Sequence, residues 1–181
     1  MLKYNSFGLE DGRDIGLCIT AARLNHSCVP NCSRYFVNDH NLLVISVNDT
    51  IEAGEELTIS YAAKGDYEKG IENFKAYTMN VWGFECSCKA CKEPALFDKI
   101  AQLSRSDSTM YALVNCYHYS EAYMLCQSQL KLCDDLGGYN VSKERIYYDI
   151  YFLAVQCKEL QQAIECAHKG LEYCKLIMGG S

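Results

Sequence analysis

No stretch of about 18 consecutive apolar residues occurs in this 181-residue chain, and its first residues lack the charged-then-apolar order of a secretory leader, so neither a membrane span nor export is expected. Basic clusters are missing as well. The net charge of −6 is spread along the chain, which argues against nucleic acid as a direct partner. A phosphate-cradling loop is also lacking: Gly8, Gly12 and Gly16 are evenly spaced but have no strand-then-helix context, so they read as turn residues. Cysteine, by contrast, is plentiful, with twelve in the chain. Without an export signal these thiols point to the cytoplasm or nucleus, where they serve as metal ligands or small core residues and not as cross-links. With 49% hydrophobic residues the chain can build a core, as one compact domain or as a small domain with an appendage.

Taken in order, residues 1 to 20 read as two short apolar pieces around the polar loop Glu10-Asp11-Gly12-Arg13-Asp14, the signal of a hairpin. A second hairpin is expected from Ser33 to Val47, turning at Asn38-Asp39-His40-Asn41. Another turn falls at Glu52-Ala53-Gly54-Glu55. Leu57, Ile59 and Tyr61 then alternate with Thr58 and Ser60, the period of two of a half-buried strand, so the first sixty residues are expected to be mostly sheet. After Gly65-Asp66 the period becomes helical through Tyr67, Ile71, Phe74, Thr78 and Val81, with Asp66 placed as the cap and Gly70 a weak point inside.

Beyond Pro94 a helical tail is expected. One helix carries Tyr119, Tyr123, Cys126, Leu130 and Cys133 and stops at Gly137-Gly138. Ser142 is placed to cap a second, with Ile146, Ile150, Leu153 and Cys157 as its apolar face. In the last helix Leu160, Ile164, Ala167, Leu171 and Cys174 form the expected apolar face. The texture from Ala163 to Leu171 looks like the second helix of a tetratricopeptide unit, at most one and a half repeats.

Cys86, Cys88 and Cys91 set three thiols on a segment too short and polar to bury them as ordinary core, which points to one tetrahedral metal, with zinc the expected ion. Three ligands leave one position for a group from elsewhere. Cys116, Cys126, Cys133, Cys157, Cys166 and Cys174 sit on helical patterns and read as core or surface residues. Hydrolase chemistry from His26 and Ser27 is a poor reading, because adjacent residues rarely face each other and no orienting acid is evident.

Three stretches, Asn25-His26-Ser27-Cys28-Val29-Pro30-Asn31-Cys32, Gly54-Glu55-Glu56-Leu57-Thr58-Ile59-Ser60-Tyr61 and Trp82-Gly83-Phe84-Glu85-Cys86-Ser87-Cys88-Lys89-Ala90-Cys91, in this order, resemble the second half of a SET domain with its post-SET segment. The closest look is to the SET/MYND (SMYD-like) group of protein-lysine methyltransferases. The fold this implies is α+β. It comprises the carboxyl half of a SET domain over 1–63, a linker helix and zinc-bound cysteine-rich segment over 64–94, and a TPR-like helical tail over 95–181.

The resemblance also implies roles residue by residue. Cys28 becomes the fourth zinc ligand beside Cys86, Cys88 and Cys91, with Cys32 its competitor. S-adenosylmethionine is implied as methyl donor, with Asn25 offering amide groups to its amino-acid end and His26 packing near the adenine or serving as a satisfied structural histidine. Phe84 corresponds to an aromatic that covers the adenine, a core-filling ring being the alternative. Asn5, in Asn5-Ser6-Phe7, also matches a donor-binding position, although the intervening loop differs in length. Tyr61 stands where the family keeps its catalytic tyrosine. Trp82 walls the lysine channel where many relatives have tyrosine, and Ala22 stands where relatives often have a small hydroxyl residue.

The upstream half of a SET domain and a MYND-type zinc cluster are not in this sequence. Two readings follow as expectations. In one, this is a partial chain of an S-adenosylmethionine-dependent methyltransferase acting on a protein lysine. In the other, it is a non-catalytic, zinc-stabilised interaction module whose helical tail binds a protein partner.

Overall fold

The computed structural model describes residues 5–8, 15–37, 40, 42–48, 50–136 and 140–178. Short β-forming stretches between turn residues make three two-stranded pairs. Strands β1 (Ser6–Gly8) and β2 (Ile15–Leu17) are antiparallel, with Phe7 opposite Gly16; their connecting loop, 9–14, lies outside the described residues. Strand β3 is Asn25–His26. Strands β4 (Cys32–Val37) and β5 (Leu42–Val47) form the second antiparallel pair, from Cys32 opposite Val47 to Val37 opposite Leu42. Of the turn residues expected there, only His40 is described. The turn at Glu52 closes with the Glu55 N–H donating to the Glu52 carbonyl at 3.1 Å.

The strand expected from Leu57 to Tyr61 is shorter. Only Thr58–Ile59 (β6) pairs, in parallel with β3, Asn25 facing Thr58 and His26 facing Ile59. The last rung is Ser27 N–H to Ile59 carbonyl at 3.0 Å, after which the Tyr61 N–H goes to the His26 ring and not to a strand. Leu57 is 42% exposed, so the alternation does not bury it. Asn31 reinforces the crossing: its Oδ1 accepts the Thr58 N–H at 2.8 Å and its Nδ2 donates to the Glu56 carbonyl at 2.9 Å.

The helix expected from Asp66 starts later. The Asp66 carboxylate accepts the Ala63 N–H at 2.7 Å, but this caps a 3-10 turn over Lys64–Tyr67. Helix α1 (Ile71–Trp82) begins after Gly70, whose φ of 86° and ψ of 172° suit glycine almost alone, so Gly70 is the break and not a weak helical residue. Gly83, at φ 76°, ends α1 with its N–H on the Met79 carbonyl at 3.0 Å. The short α2 (Lys89–Lys92) follows, then α3 (Pro94–Asn115), where proline sits in the first turn and needs no intrahelical donor. The tail continues with α4 (Tyr119–Asp135), α5 (Asn140–Gln156) and α6 (Leu160–Met178). Among the described residues no helix is long and apolar enough to cross a membrane.

Two expectations for the tail are corrected. Ser142 lies inside α5, buried, and is not its cap. On α6, Leu160, Ile164 and Leu171 are 63%, 54% and 59% exposed, whereas Ala163 and Cys166 are buried. The buried stripe is the one with small side chains. It lets α6 approach α5 closely enough that a Cβ at Gly170 would stand 3.5 Å from the Tyr147 Cβ.

The α3–α4 and α5–α6 connections are structurally equivalent. Tyr117 and Lys158 both adopt left-handed backbone, at φ 62° and 66°. His118 N–H bonds to the Leu113 carbonyl at 2.9 Å and Glu159 N–H to the Ala154 carbonyl at 2.8 Å, while Ala122 N–H to His118 and Ala163 N–H to Glu159 are both 3.0 Å. The tail is therefore two helical hairpins closed by the same turn.

The larger core runs from Cys28, Phe74 and the cysteine segment through Phe97 to Ile146, Ile150 and Leu153 in α5. Each fully buried side chain of this size contributes about 1.5–3 kcal/mol. A smaller core of Phe7, Ala21, Cys32 and Ile59 holds the strands. Asp107 ties the helical tail to the 3-10 turn at Lys64: it accepts from Gln129 at 2.7 Å and Arg145 at 2.5 Å, and pairs with Lys64 at 3.4 Å. The Ser104 hydroxyl donates to the Lys64 carbonyl.

Candidate active site and metal centre

Cys28 leaves β3 buried. Gly83 turns the chain out of α1, and the Cys86 N–H, bonded to the Thr78 Oγ1 at 3.4 Å, directs the cysteine segment back toward it. The Cys28 Sγ lies 3.9 Å from that of Cys86 and 3.6 Å from that of Cys91, and the four Sγ atoms of Cys28, Cys86, Cys88 and Cys91 lie within 4.8 Å of one another. A tetrahedral zinc with bonds of about 2.3 Å separates its sulfurs by about 3.8 Å, so the donor set and spacing fit that ion. The Cys28 N–H points at the Cys88 Sγ at 3.4 Å, a donor suited to a thiolate.

Hydrogen bonding to Cys28 and its neighbours holds Cys86 well down and sets Cys88 at about 5, while Cys28, hydrogen-bonded to Cys86, Cys88 and Cys91, is pushed up. A divalent cation would hold the four crowded sulfurs as thiolates. Cys32 is elsewhere, in the small core, with its thiol raised by burial.

Beside the cysteines an open cleft of about 600 Å³ is lined by Asn25, His26, Tyr61, Phe84, Glu56 and Lys89, among others. Both acids and lysines border it. Asn25 Nδ2 donates to Glu56 Oε1 at 2.6 Å, so the amide of the first motif is set by an acid of the second. A second, narrow cavity of about 70 Å³ is lined by Phe7, Ala22, Arg34, Ile59, Tyr61 and Trp82, with Ser6 and Ala21. Tyr61 borders both spaces. Its hydroxyl donates to the Leu24 carbonyl at 2.5 Å and is raised by burial. Trp82 meets it edge-on at 5.8 Å and Phe84 at 6.2 Å.

The fold thus brings Asn25, His26, Phe84 and Tyr61 to the cleft, Trp82 and Tyr61 to the narrow cavity, and the four cysteines together. Asn5 does not line the cleft; it immediately precedes β1, whose Phe7 lines the narrow cavity. Glu56, Lys89, Lys92 and Arg34 are lining residues that the sequence reading passed over. Glu56 stood in a quoted motif and could have been marked, whereas Arg34 carried no signal on its strand.

Residues 5–62 match the family model of the SET domain. Histone-lysine N-methyltransferase SMYD3 of Mus musculus is 38% identical over 179 residues, covering 92% of this chain and 40% of that protein. SMYD3 of Homo sapiens is 38% identical over 97 residues, 54% of this chain and 21% of that protein. Protein-lysine N-trimethyltransferase SMYD5 of Gallus gallus is 34% identical over 76 residues, 42% and 18% of the two chains. The chain spans less than half the length of each of these relatives. Over residues 5–62 the chain is thus similar to the SET domain, and along its length it is similar to SMYD proteins.

Proposed function

We propose that this chain forms the catalytic face and metal centre of an S-adenosylmethionine-dependent protein-lysine methyltransferase. The observation that carries this reading is the position of Tyr61 between two spaces of different size, an open cleft of about 600 Å³ and a narrow cavity of about 70 Å³ walled by Phe7, Trp82 and Arg34. Bound in the cleft, S-adenosylmethionine supplies an electrophilic methyl on a sulfonium. Asn25 and Glu56 stand at one border and Phe84 offers a ring face. The lysine side chain of a protein substrate enters the narrow cavity along Trp82 and Phe7. A lysine amine has a pKa of about 10.4 in water, and burial beside the Arg34 cation favours its neutral, nucleophilic form. Tyr61, pinned through Leu24, holds the amine in line, which is most of what a displacement at a methyl carbon needs.

Cys28, Cys86, Cys88 and Cys91 are the residues that would hold one structural zinc, keeping Phe84 and Glu85 at the cleft edge. On this reading 1–63 is the carboxyl half of the SET unit, 64–94 the post-SET segment and 95–181 a TPR-like tail, the equivalent turns of the two hairpins supporting the last. Asn5 remains a candidate donor-binding residue through β1. The cytoplasm and nucleus, with their reduced thiols, are the compartments that suit this centre.

Calorimetric titration of S-adenosylmethionine into this chain, and into a form extended upstream, tests the reading. Binding by the extended form, followed by radiolabel transfer to protein lysine, is expected. A zinc-loaded extended form that binds no donor overturns it and selects the second reading, a non-catalytic interaction module. That alternative is favoured by the exposed Tyr148, Leu160, Ile164 and Leu171 of the last hairpin, which offer a protein partner an apolar surface.

A further inference from the structure

His26 is only 9% exposed and is enclosed by the rings of Tyr61, Phe74, Trp82 and Phe84, with centroids 5.4, 5.9, 6.4 and 6.2 Å away. Its two ring nitrogens have different partners. The Tyr61 backbone N–H donates to Nδ1 at 3.0 Å, and Nε2 lies 3.5 Å from the Cys28 Sγ. A ring nitrogen that accepts an N–H carries no proton of its own, so the ring proton sits on Nε2 and points at the Cys28 sulfur.

We propose that His26 is a positioning residue that ties the metal centre to the Tyr61 main chain, an Nε2–H···S bond at one end and an Nδ1···H–N bond at the other. The proposal rests on the reading of the four cysteines as a metal centre. A metal that fixes the Cys28 sulfur fixes the tilt of the ring, and the ring fixes the backbone at Tyr61 where β6 has already ended. An imidazole can engage the thiol and the Tyr61 main chain at the same time. A residue that merely filled space would need only the aromatic contacts. An N–H aimed at a metal-bound thiolate also draws charge from the sulfur, and loss of such a partner typically costs about 10–100-fold in metal affinity.

The test uses the full chain. Zinc content of the unaltered protein is measured first: none sinks the metal reading and this proposal with it. In zinc-loaded protein with 15N-labelled histidine, long-range proton–nitrogen spectra should show His26 with Nε2 protonated and Nδ1 bare. Two substitutions then separate the two bonds. H26N keeps a polar atom near Nδ1 but no donor at the sulfur, and should lose zinc to a chelator about ten-fold more readily; H26Q keeps the donor near Nε2 and should stay within about two-fold. Emission from Trp82, the one tryptophan of the chain, reports whether each variant keeps the packed ring cluster. Zinc bound equally by all three proteins, or a ring proton found on Nδ1, overturns the proposal while leaving the metal reading intact. The second readout needs no variant and decides the matter even if one fails to fold.

Discussion

The Sγ atoms of Cys28 and Cys91, 63 residues apart in the chain, lie 3.6 Å from each other. That contact closes a loop containing β4, β5 and β6, so the integrity of the cleft depends on whether the four thiols are held together.

One zinc per chain is expected by elemental analysis of reduced protein. Cys28→Ala and Cys91→Ala should each lower that content sharply, while Cys32→Ala, in the small core, should retain it. Binding free energy at such a site is folding free energy, so a chelator should lower the thermal midpoint of the unaltered protein. Full zinc in Cys28→Ala would remove the assignment.

Tyr61→Phe deletes the hydroxyl that donates to Leu24 without changing the ring contacts with Trp82 and Phe84. In an active, upstream-extended form methyl transfer should fall to background while donor affinity, measured by calorimetry, changes little. Undiminished turnover would count against Tyr61.

Asp107→Ala leaves Gln129, Arg145 and Lys64 without their common acceptor. Stripping one partner from a mostly buried charge network costs about 3 kcal/mol, read by denaturant unfolding. Loss of under about 1 kcal/mol would mean that water replaces the carboxylate.

Gly70→Ala meets no atom within 4 Å, so any cost is in the backbone at φ 86°. A residue with a Cβ in that region costs about 1–3 kcal/mol, and Gly65→Ala, where no positive φ arises, provides the control.

On the tail, Leu171→Ser should change stability by less than about 0.5 kcal/mol, because the side chain stands in solvent. Ile150→Ala, fully buried on α5, should cost about 2–5 kcal/mol. The reverse order would mean that the exposed stripe of α6 is packed in solution.

Local signals were legible in the sequence wherever neighbours along the chain decide the outcome. Tyr35–Val37 and Leu42–Val47 declared a hairpin, the cysteine spacing declared a cluster of thiols, and Gly54 declared a turn. The stop of β6 at Ile59 was not legible, because it depends on how far β3 runs beside it. Nor was the start of α1, since Gly70 looks the same in sequence whether it weakens a helix or precedes one. The face of α6 was misread because apolar periodicity marks Leu160, Ile164 and Leu171, while close approach to α5 selects the small residues Ala163, Cys166 and Gly170.

By itself the sequence determined the order of elements, the kinds of residue that could hold a metal or line a site, and the kinship carried by three short motifs. Only the tertiary structure decided that Cys28 and not Cys32 joins the other three thiols, that Tyr61 borders two spaces, and that both nitrogens of His26 are engaged. The reason is physical: which donors meet across dozens of residues is set by strand register and helix packing, and these are properties of the folded whole.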